Sequence, residues 1–310
     1  MKNQKHIVIG ICFLLQLLSL GACSTNKNTD FASKPANPPQ ETSGYISVLD
    51  HHIYYESKGK GESIVFLHGG YLHHEMWDEE TDFFASKGFK TIAYDGLGHG
   101  KTKDGTTKVL GSKILEHLLD SLNISQTHLV GLSWGAMIAV DFCLTHPERV
   151  KKMVLVSPGL NGWEYFQDSL VVANNLLRKK AKLEADTSAF VELFMKNWTD
   201  GPAQKTDRLP SKTRIHIQKL IRETVTKHWN KDWSGLIEDP PARQRLSEIQ
   251  QPVLLVKGNL DALDIHQIVE VYQESLPNAY RFDIPNVAHA LNLEEADLFN
   301  ELLMTFIRRP

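Results

Sequence analysis

A serine stands between two glycines in the segment Gly131-Leu132-Ser133-Trp134-Gly135, after an apolar run and before an apolar helical pattern. A serine hydroxyl is a weak nucleophile unless the backbone holds it where a base can reach it. In a nucleophile elbow, a strand turns so sharply into a helix that the serine is strained, and flanking glycines permit the close approach. The segment therefore predicts a nucleophilic Ser133 at a strand–turn–helix junction.

Three other segments end predicted strands and carry groups that a nucleophilic serine needs. Residues 66–70 end in a His-Gly-Gly turn, residues 257–261 end in Asp261, and residues 286–289 end in His289. The order serine, acid, histidine is the one found in α/β-hydrolases. Asp264 is an alternative acid, or it caps the helix predicted to begin at Ile265. We expect Asp261 to be the acid.

With the glycine-rich turn 95–100 added to these segments, the chain resembles the α/β-hydrolase family, in its capped esterase and lipase-like branch. The resemblance covers about Tyr45 to the carboxyl terminus. It implies that Ser133 attacks an acyl carbonyl, that His289 moves the proton, and that Asp261 orients the imidazole. It also implies an oxyanion hole formed by the backbone N–H groups of Gly70 and Trp134.

The implied activity is a cofactor-free serine hydrolase that cleaves a small-molecule carboxylic ester through an acyl-enzyme. A lactonase, an amidase or a carbon–carbon bond hydrolase remains an alternative, because each can use the same triad. A receptor-like protein that binds a ligand with little turnover is the alternative from another class. Tyr71-Leu72 follows the His-Gly-Gly turn where proline iminopeptidases carry Pro-Gly, so peptidase activity is a minor alternative.

Short apolar strands alternate with helical stretches along most of the chain, which predicts an α/β fold: a mostly parallel eight-stranded sheet with helices on both faces. We assign residues 45–159 and 250–310 to this core. Its helical patterns cover about residues 75–87, 110–122, 134–145, 265–275 and 292–308. Residues 160–249 show only helical patterns and are expected to form an inserted cap above the carboxyl edge of the sheet. One or two of the cap aromatics are expected to line the pocket; the candidates are Trp163, Tyr165, Phe166, Trp198, Trp229 and Trp233.

The first 22 residues predict a signal peptide, with Lys2 and Lys5 before an apolar stretch from Ile7 to Leu20. The stretch ends Leu20-Gly21-Ala22-Cys23, which resembles a bacterial lipobox and implies a lipid on Cys23. A plain secretory signal cleaved after Ala22 is the alternative. Residues 23–44, rich in Ser, Asn and Pro, are expected to tether the enzyme to the membrane. The expected location is the cell envelope, outside the cytoplasm.

The chain has 310 residues and a net charge of −3, and no basic stripe dominates, so nucleic acid is not an expected partner. The basic run 178–182 is interpreted as a solvated helix face. The histidines at 51–52, 68, 73–74 and 99 lack the helical spacing of a zinc site, so no metal is expected. Cys143 is expected to be buried and inert. Asp95 is expected to hold its turn together.

Overall fold

The computed structural model describes residues 41–163, 166–231, 238 and 240–309. Within these ranges one sheet contains eight strands in the order β1-β2-β4-β3-β5-β6-β7-β8. The strands are β1 (Glu41–Val48), β2 (His51–Gly59), β3 (Glu62–Leu67), β4 (Phe89–Tyr94), β5 (Thr127–Leu132), β6 (Val150–Val156), β7 (Val253–Gly258) and β8 (Ala279–Ile284). β1 and β2 pair antiparallel, as do β2 and β4, and the remaining pairs are parallel. The expected mostly parallel eight-stranded sheet is confirmed.

Helices cover the sheet and form most of the segment between β6 and β7. They are α1 (Asp78–Ser86), α2 (Gly111–Ser121), α3 (Trp134–Thr145), α4 (Ser169–Leu183), α5 (Thr187–Met195), α6 (Ser211–Trp229), α7 (Leu263–Ser275), α8 (Leu291–Glu294) and α9 (Ala296–Ile307). The central strands are rich in apolar residues and largely buried, as expected for parallel strands covered on both faces. All six residues of β5, for example, are buried.

The described residues between β6 and β7 contain no strand, in line with the helical pattern of the sequence. Apolar side chains of α4, α5 and α6 belong to one buried cluster that also includes residues of the sheet. Phe190, Phe194 and Ile217 are among these side chains. A short π-helical turn, Lys196–Asp200, follows α5. Such turns occur often at functional sites. We call the described part of residues 160–249 the cap.

Three boundaries differ from the sequence expectation. β1 begins at Glu41 rather than Tyr45, so the last residues of the expected tether belong to the sheet, where Glu41 pairs with Lys58. Residues 41–43 are exposed polar edge residues, so they carry no alternating apolar signal. The last predicted helix is divided into α8 and α9, because Glu295 leaves helical geometry between them. The first predicted helix, 75–87, is a 3₁₀ turn at His74–Trp77 followed by α1.

The signal peptide, Cys23 and most of the tether lie outside the described residues. In the part of the chain that the structure describes, no helix combines the length and the apolar composition needed to cross a bilayer. Cys143 is buried, its thiol donates to Gln251 at 3.3 Å, and burial raises its pKa to about 12. The expectation of a buried Cys143 is confirmed.

Candidate active site

Ser133 lies at the junction of β5 and α3 with φ 53° and ψ −108°. A residue with a side chain rarely adopts positive φ, so the junction stores strain, as is common at functional sites. The chain is tightly packed here: a Cβ on Gly135 would lie 2.2 Å from the Leu67 carbonyl oxygen, and one on Gly131 would lie 2.5 Å from Gly135. The two glycines therefore allow the strand, the helix and the end of β3 to meet at Ser133.

Asp261 and His289 follow β7 and β8, and they meet at the carboxyl edge of the sheet. The Nδ1–H of His289 donates to the Asp261 carboxylate, with distances of 2.9 Å to Oδ2 and 3.1 Å to Oδ1. Both residues are buried. A carboxylate in this position fixes the tautomer in which Nε2 is free to accept a proton. The arrangement gives His289 the geometry of a general base.

Glycine at position 258 is what lets these two loops come together. A Cβ there would lie 2.2 Å from the Val287 carbonyl oxygen and 2.4 Å from that of Ala288. The backbone before Asp261 thus packs directly on the backbone before His289.

Asp264, the alternative acid, bonds to different groups. Its carboxylate accepts from Trp163 Nε1 at 3.1 Å and from the backbone N–H groups of Gln167 at 2.7 Å and Asp168 at 2.9 Å. It is fully buried and ties the start of α7 to the cap. The structure therefore places Asp261, and not Asp264, against His289.

Ser133 and His289 open into one cavity of about 460 Å³ between the sheet edge and the cap. Gly70 and Trp134 border the same cavity. Trp134 is the first residue of α3 and directly follows Ser133. The two backbone segments expected to supply oxyanion donors therefore lie beside Ser133.

Buried histidines support the turn that carries Gly70. His68 donates from Nδ1 to the Gly69 carbonyl at 2.8 Å, and its Nε2 accepts from the Gly96 N–H at 2.9 Å. His99 Nε2 accepts from the Tyr71 N–H at 3.2 Å. Burial lowers the pKa of His68 to about 4 and that of His99 well below its usual value, so both accept these bonds as neutral rings.

His73, His74 and Glu75 have potential ligand atoms within 4.8 Å of one another, which makes them a candidate metal cluster. Both ring nitrogens of His74 already face carboxylates, Asp95 at 2.8 Å and Glu56 at 3.1 Å. Burial alone would lower the pKa of His74, but these two carboxylates outweigh it and raise the pKa to about 9. A metal ion would have to displace one of these ion pairs.

Asp95 holds its turn, as expected: its carboxylate accepts from the backbone N–H groups of His74 at 2.8 Å and Lys101 at 2.6 Å.

Two cap residues approach the His289 loop. The Trp198 ring lies 4.8 Å from the His289 ring, between ring centres. Arg208 forms a bidentate pair with Glu294 at 2.6 and 3.0 Å, and Glu294 accepts from the Ala288 N–H at 3.1 Å. The sequence offered no signal for Arg208 and Glu294, which are 86 residues apart. Among the expected pocket aromatics, Phe166 and Trp198 line the cavity, while Tyr165 and Trp233 lie outside the described residues.

The interpretation of residues 178–182 as a solvated helix face is wrong in part. Arg178, Lys179 and Lys182 line the cavity, and Ala181 is buried. The run lies on α4, whose inner side packs on the aromatic residues of α5. The interpretation was wrong in part because a pattern of charged residues along the sequence does not show whether the side chains face solvent or a polar cavity.

Known proteins resemble this chain over most of its length. A family model described as the alpha/beta hydrolase fold matches residues 62–296. A 2-hydroxy-6-oxononadienedioate/2-hydroxy-6-oxononatrienedioate hydrolase from Burkholderia vietnamiensis is 28% identical over 280 residues, covering 86% of this chain and 96% of that protein.

Solved structures share the fold. The carboxylesterase CesB from Bacillus subtilis superposes with a TM-score of 0.72 at 24% identity, covering 87% of this chain and 93% of its own. Est816, described as an N-acyl homoserine lactone degrading enzyme, gives a TM-score of 0.66 at 26% identity, covering 84% of this chain and 99% of its own.

Proposed function

The chain belongs to the alpha/beta hydrolase fold family, and on that premise we propose that it is a serine hydrolase that cleaves a carboxylic ester of a small molecule. Ser133 Oγ attacks the acyl carbonyl while His289 Nε2 takes its proton. The tetrahedral oxyanion is held by the N–H groups of Gly70 and Trp134. Collapse breaks the ester C–O bond, and His289 returns the proton to the leaving alcohol.

The acyl-enzyme is then hydrolysed by the same groups. His289 takes a proton from water, the resulting hydroxide attacks the acyl carbon, and the carboxylic acid leaves as Ser133 regains its proton. Asp261 stabilises the imidazolium in both halves of the reaction. No cofactor has a step in this mechanism.

One observation carries the proposal: His289, which is hydrogen-bonded to Asp261, lines the same cavity as the strained Ser133. A strained serine also occurs at Ser157, and a histidine paired with a buried carboxylate also occurs at His74, but Ser133 and His289 line the same cavity. The combination is what activation of a hydroxyl requires.

Replacing the serine tests this function. We expect Ser133→Ala to lower kcat for p-nitrophenyl butyrate by at least about a thousandfold, because the nucleophile is lost and only binding and the oxyanion donors remain. The cavity wall barely changes, so the thermal unfolding midpoint should stay within a few degrees of the wild type. Full turnover by this variant would contradict the proposal.

A second candidate, hydrolysis of a carbon–carbon bond, is favoured by the name of the Burkholderia relative. The description of Est816 likewise makes a lactone a candidate substrate. A panel of p-nitrophenyl esters, an N-acyl homoserine lactone, an anilide and 2-hydroxy-6-oxononadienedioate compares these reactions. The proposal of an open-chain ester fails if kcat/KM is highest for the lactone, the anilide or the dienedioate.

The receptor-like alternative predicts binding with little turnover. A fluorophosphonate that labels Ser133 quickly, together with no turnover of any substrate in the panel, would favour that alternative. Labelling together with ester turnover favours the hydrolase.

For localisation, we propose a lipid on Cys23 and a position outside the cytoplasm, on the strength of the lipobox-like segment alone. Expression of the full chain in a bacterium should give a membrane-bound product that Cys23→Ala releases. Equal release of the wild-type chain would contradict the anchor.

A further inference from the structure

Helix α4 brings a cluster of cations to the wall of the catalytic cavity. Arg178, Lys179 and Lys182 all line it, and all three come from this one helix. The described residues that line the cavity include no aspartate or glutamate. A cavity with cations on one wall and no acid favours a negatively charged occupant.

Arg178 is the most informative of the three. Its Nε is buried without a hydrogen-bond partner among the described residues, and its Nη1 donates to the Asn175 side-chain oxygen at 2.9 Å. The guanidinium carbon lies 4.8 Å from the centre of the Phe190 ring and 5.0 Å from that of Phe194. It also interacts with Tyr71, whose ring centre is 5.6 Å away. Burial lowers the pKa of Arg178, but a guanidinium remains charged in proteins.

No carboxylate in the described part of the chain pairs with Arg178. Other arginines of this protein do have such partners: Arg149, Arg208, Arg214, Arg245 and Arg281 each pair with an aspartate or a glutamate. A partly buried guanidinium with an unused donor is costly unless a ligand completes its bonds. A planar carboxylate matches the fork of guanidinium donors.

We propose that the substrate carries a carboxylate, separate from the scissile bond, that Arg178 binds at the cap end of the cavity. The proposal rests on the proposed function, since it concerns the occupant of the same cavity. Lys179 and Lys182 add positive potential along the path into the site. The enzyme would thus act on the ester of a molecule that also contains a free carboxylic acid.

The competing account is that Arg178 only fills space among the aromatic rings. It would then support the cavity wall for every substrate alike, and its loss would lower the turnover of charged and neutral substrates equally. A carboxylate-binding role instead predicts a loss confined to charged substrates. The ratio of the two kcat/KM values therefore separates the accounts.

The substrates are matched pairs that differ in one charge. The first series compares mono-p-nitrophenyl glutarate and adipate with their methyl p-nitrophenyl diesters, which places the carboxylate on the acyl side. The second compares butyrate esters of hydroxybenzoic acids with those of the corresponding methyl hydroxybenzoates, which places it on the leaving group. At pH 7 the carboxyl groups are ionised.

In the wild type we expect kcat/KM to be at least about tenfold higher for the charged member in one of the series, the size typical of a charge-assisted hydrogen bond. Arg178→Gln should abolish that preference, because it lowers kcat/KM for the charged substrate at least about tenfold more than for its neutral partner. Lys180→Gln is the matched control, since Lys180 is an exposed cation on the same helix near Glu184. It should keep the preference.

Binding of dicarboxylates tests the inference independently of turnover. Glutarate and adipate should bind to Ser133→Ala in calorimetry, and at least about tenfold more weakly once Arg178→Gln is added. The inference is overturned if the wild type prefers neither charged series, if Arg178→Gln keeps the preference, or if the second substitution leaves dicarboxylate affinity unchanged. Turnover of neutral esters without a preference for charged substrates would contradict this inference and leave the proposed function standing. Binding of the dicarboxylates without turnover of any ester would contradict the proposed function and leave the carboxylate site standing.

Discussion

At the scale of single residues, two aspartates only three positions apart have different surroundings. The Asp261 carboxylate accepts a hydrogen bond from His289, which lines the catalytic cavity. The Asp264 carboxylate accepts hydrogen bonds from the backbone N–H groups of Gln167 and Asp168 in the cap. The first carboxylate therefore acts on proton transfer and the second on the attachment of the cap.

Parallel substitutions of these aspartates distinguish the two roles. Asp261→Asn should lower kcat by up to about ten thousandfold, because the amide no longer holds the histidine in the productive tautomer. Asp264→Asn should keep kcat within about tenfold and lower the thermal midpoint, because one of the two accepting oxygens becomes an amide nitrogen, which cannot accept from the N–H that it faces. Steady-state kinetics and thermal unfolding measure both variants. A large loss of kcat in Asp264→Asn alone would reverse the assignment.

The sequence predicted some of these residues and not others, for physical reasons. Ser133 and His289 stand in motifs whose local backbone requirements are visible as glycines and strand ends. The choice between Asp261 and Asp264 depends on how β7 and β8 approach, which only the packing at Gly258 reveals. The sequence alone predicts a surface cation at Arg178, because it does not show that the aromatic rings of α5 pack against the guanidinium group.

At the scale of elements, the cap is fastened to the loop that carries His289. Arg208 reaches from the cap to Glu294, and the same carboxylate accepts from the Ala288 N–H. Glu294 is buried, with a side chain 3% exposed, so it depends on this partner. The cap thereby helps to hold the general base, besides covering the substrate.

Arg208→Met should lower both stability and turnover. A buried carboxylate that loses its cation costs about 3–5 kcal/mol in free energy of unfolding, and the His289 loop loses a support. We expect kcat to fall more than KM rises. Arg222→Met on α6 is the control, because Arg222 is exposed and donates to the Ser188 hydroxyl at 3.3 Å. Equal behaviour of the two variants in denaturant unfolding and kinetics would refute a role for the Arg208–Glu294 pair.

The boundaries of elements show what a linear pattern can carry. Helix α3 was predicted from Trp134 to Thr145 and is found there, because the elbow and His146-Pro147 fix its ends. The start of β1 was missed because its outer residues are polar and are held only by pairing with β2. Pairing with a distant part of the chain produces no recognisable pattern in the local sequence of these residues.

At the scale of the whole molecule, stability depends on buried carboxyl groups outside the site. Glu80 on α1 is 1% exposed; its Oε2 accepts from Asn292 at 3.4 Å, and its Oε1 has no partner among the described residues. Burial raises the pKa of Glu80 to about 8. The folded protein therefore holds this proton at neutral pH, whereas the unfolded chain releases it.

The sign of the pH dependence follows from the raised pKa. The contribution of Glu80 is complete below the unfolded pKa of about 4.5 and is lost as the pH rises to about 8. At about 1.4 kcal/mol for each pKa unit, the rise from 4.5 to about 8 makes the loss on the order of 5 kcal/mol. Glu80→Gln should unfold with a flatter dependence between pH 5 and 8 in urea titrations, while the exposed Glu79→Gln control keeps the wild-type slope. Identical slopes in all three proteins would contradict a buried neutral Glu80.

The central claim is that Ser133 is an activated nucleophile, and the most direct measurement is the site of covalent modification. The protein is treated with a fluorophosphonate, digested and mapped by mass spectrometry, beside Ser133→Ala and His289→Ala. The account predicts one adduct on Ser133, absent from the first variant and formed at least about a hundredfold more slowly in the second. An adduct on Ser157, a buried serine that also has positive φ, or labelling of Ser133 at the wild-type rate without His289, would contradict it.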